Sequence, residues 1–168
     1  IVAGRYPDRV LSLTSIMSTS GERGKGEASL KVSLKMVQPV SKDKTPLDIA
    51  VDIWQMLCGP AYPMTDSEIR AQVIAEHKRS SNPAGYMRQI SAIRTSPSRV
   101  ALLNAIKVPT LIIHGNQDVL VPVSGGIDTA KHIAHAELVR FEGMGHTLPR
   151  ELLETFADLI VNNSAVQT

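Results

Sequence analysis

Hydrophobic positions along this chain follow two different rhythms. Near its ends, β-branched and apolar residues gather in short runs: Arg9-Val10-Leu11-Ser12-Leu13-Thr14-Ser15-Ile16 early, and Val108-Pro109-Thr110-Leu111-Ile112-Ile113 and Leu138-Val139-Arg140-Phe141 late. Runs of this length between Pro, Gly and Ser predict strands. The middle one is continuously apolar, as a strand buried on both faces of a parallel sheet must be. Ile1 to Arg5 read as the last turn of a helix, with Pro7 beyond its end.

Between these runs the apolar spacing changes to three and four, the helical period. After a polar, Gly-rich loop at 18–29, Leu30, Leu34 and Val37 share a face within 28–37. Thr45-Pro46 supplies a cap and a Pro at the first helical position, and Leu47, Ala50, Val51, Trp54 and Cys58 then form one stripe. Gly59-Pro60 ends it. Thr65-Asp66-Ser67-Glu68 fits a capping box, with Ile69 and Val73 inward. Asn82-Pro83 and Ser96-Pro97 repeat the cap-then-Pro signal, the second ahead of Val100, Leu103 and Ile106. Residues 17–106 are therefore read as mainly helical. In the tail, Ser124 is read as capping a helix with Ile127, Ala130 and Ile133 inward. A last helix over 151–161 buries Leu152, Phe156, Leu159 and Ile160. The tail is β-α-β-α, the order of a doubly wound sheet.

Composition narrows the function classes. A length of 168 residues, 43% hydrophobic and 20% charged, suits one globular unit. A net charge of +2 argues against a nucleic-acid or membrane partner attracted by field alone. The basic excess of Arg23, Lys25, Lys31, Lys35, Lys42 and Lys44 over Glu22, Glu27 and Asp43 reads as a solvated face. Cys58 is the single cysteine, so no internal disulfide forms and a reducing, cytoplasmic compartment is expected. No apolar run nears the ~20 residues of a membrane span, and the first residues do not read as a signal peptide. With Ile1 rather than Met at the start, the chain is expected to begin inside a longer protein.

Chemistry concentrates in the two loops that follow the late strands. In open α/β sheets such loops lie at the strands' C-terminal ends, where ligands bind. Gly115-Asn116-Gln117-Asp118-Val119-Leu120-Val121-Pro122 offers a carboxylate, and Glu142-Gly143-Met144-Gly145-His146-Thr147-Leu148-Pro149 offers an imidazole between small residues. A carboxylate on one ring nitrogen fixes the tautomer that lets the other nitrogen take a proton from a nucleophile. Asp118 and His146 are the candidate catalytic pair.

Those two loops resemble the acid and histidine loops of the α/β-hydrolases, which carry them late in the chain and in this order. Ala3-Gly4-Arg5-Tyr6-Pro7-Asp8-Arg9-Val10 is similar to the segment just after that family's nucleophile elbow. Gly59-Pro60-Ala61-Tyr62-Pro63 and Asn82-Pro83-Ala84-Gly85-Tyr86-Met87-Arg88-Gln89 are similar to the lid of the branch containing aclacinomycin methylesterase. The resemblance implies an α/β fold: the C-terminal part of an α/β-hydrolase sheet, strands six to eight, with an inserted helical lid. Residues 1–16 and 107–168 would form the partial core and 17–106 the lid.

The departure from that family is the nucleophile. No Ser, Asp or Cys here has Gly both two before and two after it; Ser124 is nearest, with Gly126 on one side but Pro122 on the other. The expectation is a fragment of a carboxylic ester hydrolase whose Ser and strands one to five lie elsewhere. On its own it would be inactive. The alternatives are a truncated product that self-associates through its open sheet edge at 10–16, or a dehalogenase or epoxide hydrolase fragment with an Asp nucleophile. The expected partners are a small apolar ester and, at that edge, the missing half or another copy of the chain.

Other residues receive quieter readings. Trp54, Met56, Tyr62, Met64, Tyr86 and Met87 read as lid packing, and from them Trp54, Met56, Tyr62, Tyr86 and Met87 are the candidates to line a substrate pocket. His114, at a strand's end, reads as structural and His77 as solvated. His132 and His135 read as neighbours on one helix face without a third ligand, so neither a metal nor any other cofactor is expected. Cys58 lies on an apolar helix face and is not read as a nucleophile.

Overall fold

The computed structural model describes residues 1–37, 43–80 and 82–165. Three strands, β1 (Leu13–Ile16), β2 (Thr110–Gly115) and β3 (Ala136–Phe141), form a parallel sheet in the order β1-β2-β3. Leu13 sits opposite Thr110, and Thr110 opposite Ala136, so the strands end along a common rim. Helix α1 (Val2–Arg5) precedes β1; α2 (Leu30–Met36), α3 (Pro46–Cys58), α4 (Asp66–Arg79), α5 (Pro83–Thr95) and α6 (Val100–Asn104) lie between β1 and β2. Helix α7 (Ser124–Lys131) joins β2 to β3, and α8 (Leu153–Ser164) follows β3.

The central strand organises two hydrophobic layers. Every residue of β2 is buried, and its side chains alternate across the sheet. Ile112 packs with Ala3, Ile106 and Ile133, against α1, α6 and α7. Leu111 and Ile113 face the other way, onto Met144 and Phe156 of the α8 side. There Phe156 meets Phe141 edge to face, with ring centroids 5.2 Å apart, a geometry that suits the ring quadrupoles.

In the helical insert, the caps read from sequence set the main helix starts. Thr45 and Asp48 exchange bonds as a capping box for α3, Thr65 and Glu68 do so for α4, and Asn82 accepts from Gly85 N–H at α5. Asp48 also takes Arg70 Nη2 at 2.6 Å, tying α3 to α4. The Thr45 hydroxyl, then Arg70 and the Thr45 N–H, hold the Asp48 carboxyl at about 2.

Several expectations need correction. Strand β1 covers only the last part of the 9–16 run, because Pro7–Arg9 close into a 3-10 turn. Ser96 does not open a helix; its hydroxyl donates to Ala92 O and finishes α5, so α6 starts at Val100 without a side-chain cap. Ser124 does not cap α7 either. Val123 holds that position, and Ser124 Oγ accepts from Gly26 N–H of the loop after β1. Ile127 is exposed, its place in the core taken by Ile133 beyond the helix end; Ile160 of α8 is exposed as well. Leu30, Leu34 and Val37 share a face that faces outward. Of the basic stretch, Arg23, Lys25 and Lys31 are exposed, and Lys42 lies outside the described residues.

Ile112 carries the most central of these contacts. Its replacement by Ala should cost about 2–5 kcal/mol through lost burial and the cavity left behind. Urea denaturation of both chains checks this, with a lower midpoint and an unchanged slope expected.

Candidate active site

Asp118 is positioned by its own turn. One carboxylate oxygen, Oδ1, accepts the N–H groups of Leu120 and Val121 at 2.9 and 2.8 Å. This local capture is what Asp does readily at turns, and it leaves Oδ2 aimed at the neighbouring loop. There the Nδ1–H of His146 donates to it at 2.7 Å. The carboxylate side chain is fully shielded from solvent. His114, also fully buried, donates from Nε2 to Val121 O at 2.7 Å, with that nitrogen 3.5 Å from Asp118 Oδ2. Gly126 of α7 lets this ring fit, since a β-carbon there would stand 2.4 Å from His114 Nδ1.

Burial is the largest single influence on Asp118 and opposes its ionisation. The hydrogen bonds of His114 and His146, the charge of His146 and the Val121 N–H together outweigh it, and hold the carboxyl below the usual range. A buried carboxylate that stays ionised is what an imidazole needs as its orienting partner.

The histidine loop is held from both sides. On one side, His146 N–H donates to Leu57 O at 2.7 Å and Gly145 N–H to Cys58 O at 3.2 Å. These carbonyls belong to the last turn of α3, where a helix leaves its C=O groups unsatisfied. On the other side, Gln117 N–H donates to Met144 O at 3.0 Å and Asn116 N–H to Phe141 O at 3.0 Å. Glu142 takes the side-chain amides of Asn116 and Gln117, which hold its carboxyl below the ordinary range. Packing is close enough to demand glycine. A β-carbon on Gly145 would lie 2.1 Å from Leu57 O, and one on Gly115 would lie 2.3 Å from Met144 O.

With Nδ1 committed to Asp118, Nε2 is the ring nitrogen left for chemistry. The ring borders a cavity of about 740 Å³ whose apolar wall includes Met17, Trp54, Tyr62, Met64 and Leu148, with Glu68, Gln72 and Arg150 among its polar groups. The structure therefore brings Trp54 and Tyr62 to the same cavity as His146. It does not bring Met56, Tyr86 or Met87 there. Met56 stands two residues from Trp54, on a different side of α3; Tyr86 and Met87 are exposed on α5, and the Tyr86 hydroxyl reaches Met36 O. Met64, read from the sequence only as lid packing, also lines the cavity, and Met17 and Leu148 were not singled out from the sequence. For Met17 the signal was available, because it follows β1 at the rim where α/β sheets bind ligands.

The remaining histidines also find their places. His77 is exposed on α4. His132 and His135 do not share a helix face, because α7 ends at Lys131. His135 donates to Val108 O at 2.6 Å, whereas His132 turns toward Glu22 and Asp128. Cys58 is buried, and burial pushes its thiol up, the reverse of an activated nucleophile.

This parallel sheet, with helices inserted after one strand and an acid and a histidine in the loops after the next two, is the α/β-hydrolase fold. An alpha/beta hydrolase enzyme from a Medee basin deep-sea metagenome library superposes with a TM-score of 0.60 at 20% identity, over 96% of this chain and 58% of its own. The sequence is also 30% identical over 103 residues to the pimeloyl-[acyl-carrier protein] methyl ester esterase of Nitrosomonas europaea, covering 55% of this chain and 40% of that protein. It is 36% identical over 80 residues to monoacylglycerol lipase ABHD6 of Homo sapiens, covering 46% and 24% respectively. The chain thus spans less than half the length of the curated relatives it matches, and it resembles the C-terminal portion of the fold. No protein-family model matches it. Among the described residues, no helix is long and apolar enough to cross a membrane.

Two outcomes follow for the paired loops. Because the Asp118 carboxyl is depressed in the folded state, its contribution to stability is complete above its unfolded value of about 3.9. That contribution is lost as pH falls through the lower folded value. Asp118→Asn should therefore flatten this part of the acid limb of stability, measured as urea midpoints from pH 6 downward. Gly145→Ala should cost more than about 2 kcal/mol, as overpacking against backbone does, in the same assay at neutral pH.

Proposed function

We propose that this chain supplies the acid and the general base of a carboxylic ester hydrolase, with a Ser nucleophile contributed by a segment outside these 168 residues. The observation that carries the reading is the bond from His146 Nδ1 to the buried Asp118 carboxylate beside an apolar-walled cavity. Asp118 keeps the proton on Nδ1, so Nε2 presents a lone pair. That nitrogen takes the proton of the serine hydroxyl as it attacks the ester carbonyl, and returns it to the departing alcohol. It then activates the water that releases the acid.

The helices between β1 and β2 act as the lid in this reading, and Trp54, Tyr62, Met17 and Met64 would enclose a small apolar acyl or alcohol group. Both curated relatives described above carry names of ester hydrolases, which favours ester cleavage over the dehalogenase and epoxide hydrolase chemistries of the same fold. The single Cys58 fits a reducing, cytoplasmic setting. Strand β1 pairs with β2 on one side, and its other edge would take the preceding part of the sheet or a second copy of the chain.

The test uses the longer protein that contains this chain, assayed on short-chain and methyl esters. His146→Ala should lower kcat by at least about 10³-fold and Asp118→Asn by about 10⁴-fold, with the KM changed far less. The 168-residue chain alone should show no turnover that depends on His146. Ester hydrolysis by the short chain that His146→Ala abolishes would overturn the reading.

A further inference from the structure

Away from the cavity, the loop that leaves β1 folds over α7 and gathers three possible metal ligands from distant parts of the sequence. His132 Nε2 lies 3.4 Å from Glu22 Oε2 and 3.7 Å from Asp128 Oδ1. One such atom from each of the three residues lies within 4.8 Å of the other two. Zinc bonds to imidazole nitrogen and carboxylate oxygen are about 2.0–2.2 Å long, which places tetrahedral ligands about 3.3–3.6 Å apart. The first of the two separations falls within that range and the second just above it.

Charge supplies an independent argument. Asp128 is only 6% exposed, and its Oδ2 accepts the hydroxyl of Ser20, itself 1% exposed. Among the described residues, no Lys or Arg nitrogen comes within 4.0 Å of the Glu22 or Asp128 carboxylate. Two carboxylates, one of them buried, thus face each other across a single imidazole. Burying a carboxylate is costly unless a cation or a full set of donors compensates it. A neutral imidazole does not compensate it, whereas a divalent ion held between the three groups does. The alternative is a protonated His132 serving as the counter-charge itself.

We propose that Glu22, Asp128 and His132 bind a divalent cation of the zinc class. Mixed imidazole and carboxylate donors suit such an ion, and three protein ligands leave its fourth position to water on the exposed Glu22 side. Its effect would be mechanical. The same loop is already tied to α7 by Ser20 on Asp128 and by Gly26 N–H on Ser124 Oγ. A metal at this point would fix the connection running from Met17, at the cavity wall, into the helical insert.

Chelator-treated 168-residue chain, titrated with Zn²⁺ by calorimetry and followed by thermal melting, decides the matter without any activity assay. Saturable binding of one equivalent is expected, with micromolar or tighter affinity and a higher Tm in the presence of zinc. Glu22→Gln and His132→Gln should each weaken binding at least tenfold, while His77→Gln, at an exposed histidine outside the cluster, should leave it unchanged. Glu22 is exposed, so its substitution tests the site even if the His132 variant folds poorly. Absence of saturable binding, or binding that Glu22→Gln leaves intact, would overturn the proposal in favour of a simple ion pair at His132.

Discussion

Steric closeness between backbones is the constraint on which the rest of this structure depends. Gly145 of the histidine loop stands so near Leu57 O, and Gly115 so near Met144 O, that neither position has room for a β-carbon. Hydrogen bonds of good length are possible across these contacts only because the backbones approach so closely. The last carbonyls of α3 find their donors in the histidine loop, and the histidine loop finds its rigid backing in α3. The insert and the sheet are therefore joined at the same residues that orient His146.

A second consequence concerns Asp118. One of its oxygens is consumed by the backbone of its own turn, which fixes the direction of the other. His114 and Gly126 then let α7 pack against the underside of this turn without displacing it. The imidazole of His146 receives a partner whose position, charge and accepting oxygen have all been set by the fold. Such preorganisation is what allows a buried carboxylate to serve an imidazole instead of destabilising the site.

Local signals in the chain were sufficient for much of this. The continuous run at 110–113 became the buried central strand, and the caps at Thr45, Thr65 and Asn82 started helices because each depends on residues within one turn. Asp118 and His146 were legible for a related reason: both follow strands, and parallel strands deliver their loops to one rim. What failed to read locally were positions where a side chain had two partners to choose between. Ser96 closed one helix instead of opening the next, and Ser124 served the loop at Gly26 instead of its own helix.

By itself, then, the sequence determined most of the segments that are strands and helices and the two loops that carry a carboxylate and an imidazole, because those properties rest on periodicity and short-range chemistry. Only the tertiary structure decided the rest. It brought Trp54 and Tyr62 to the cavity but not Met56, Tyr86 or Met87, revealed Met17 at its wall, and set Glu22 beside Asp128 and His132. Contacts between residues a hundred positions apart depend on how whole elements pack, and no local pattern encodes that distance.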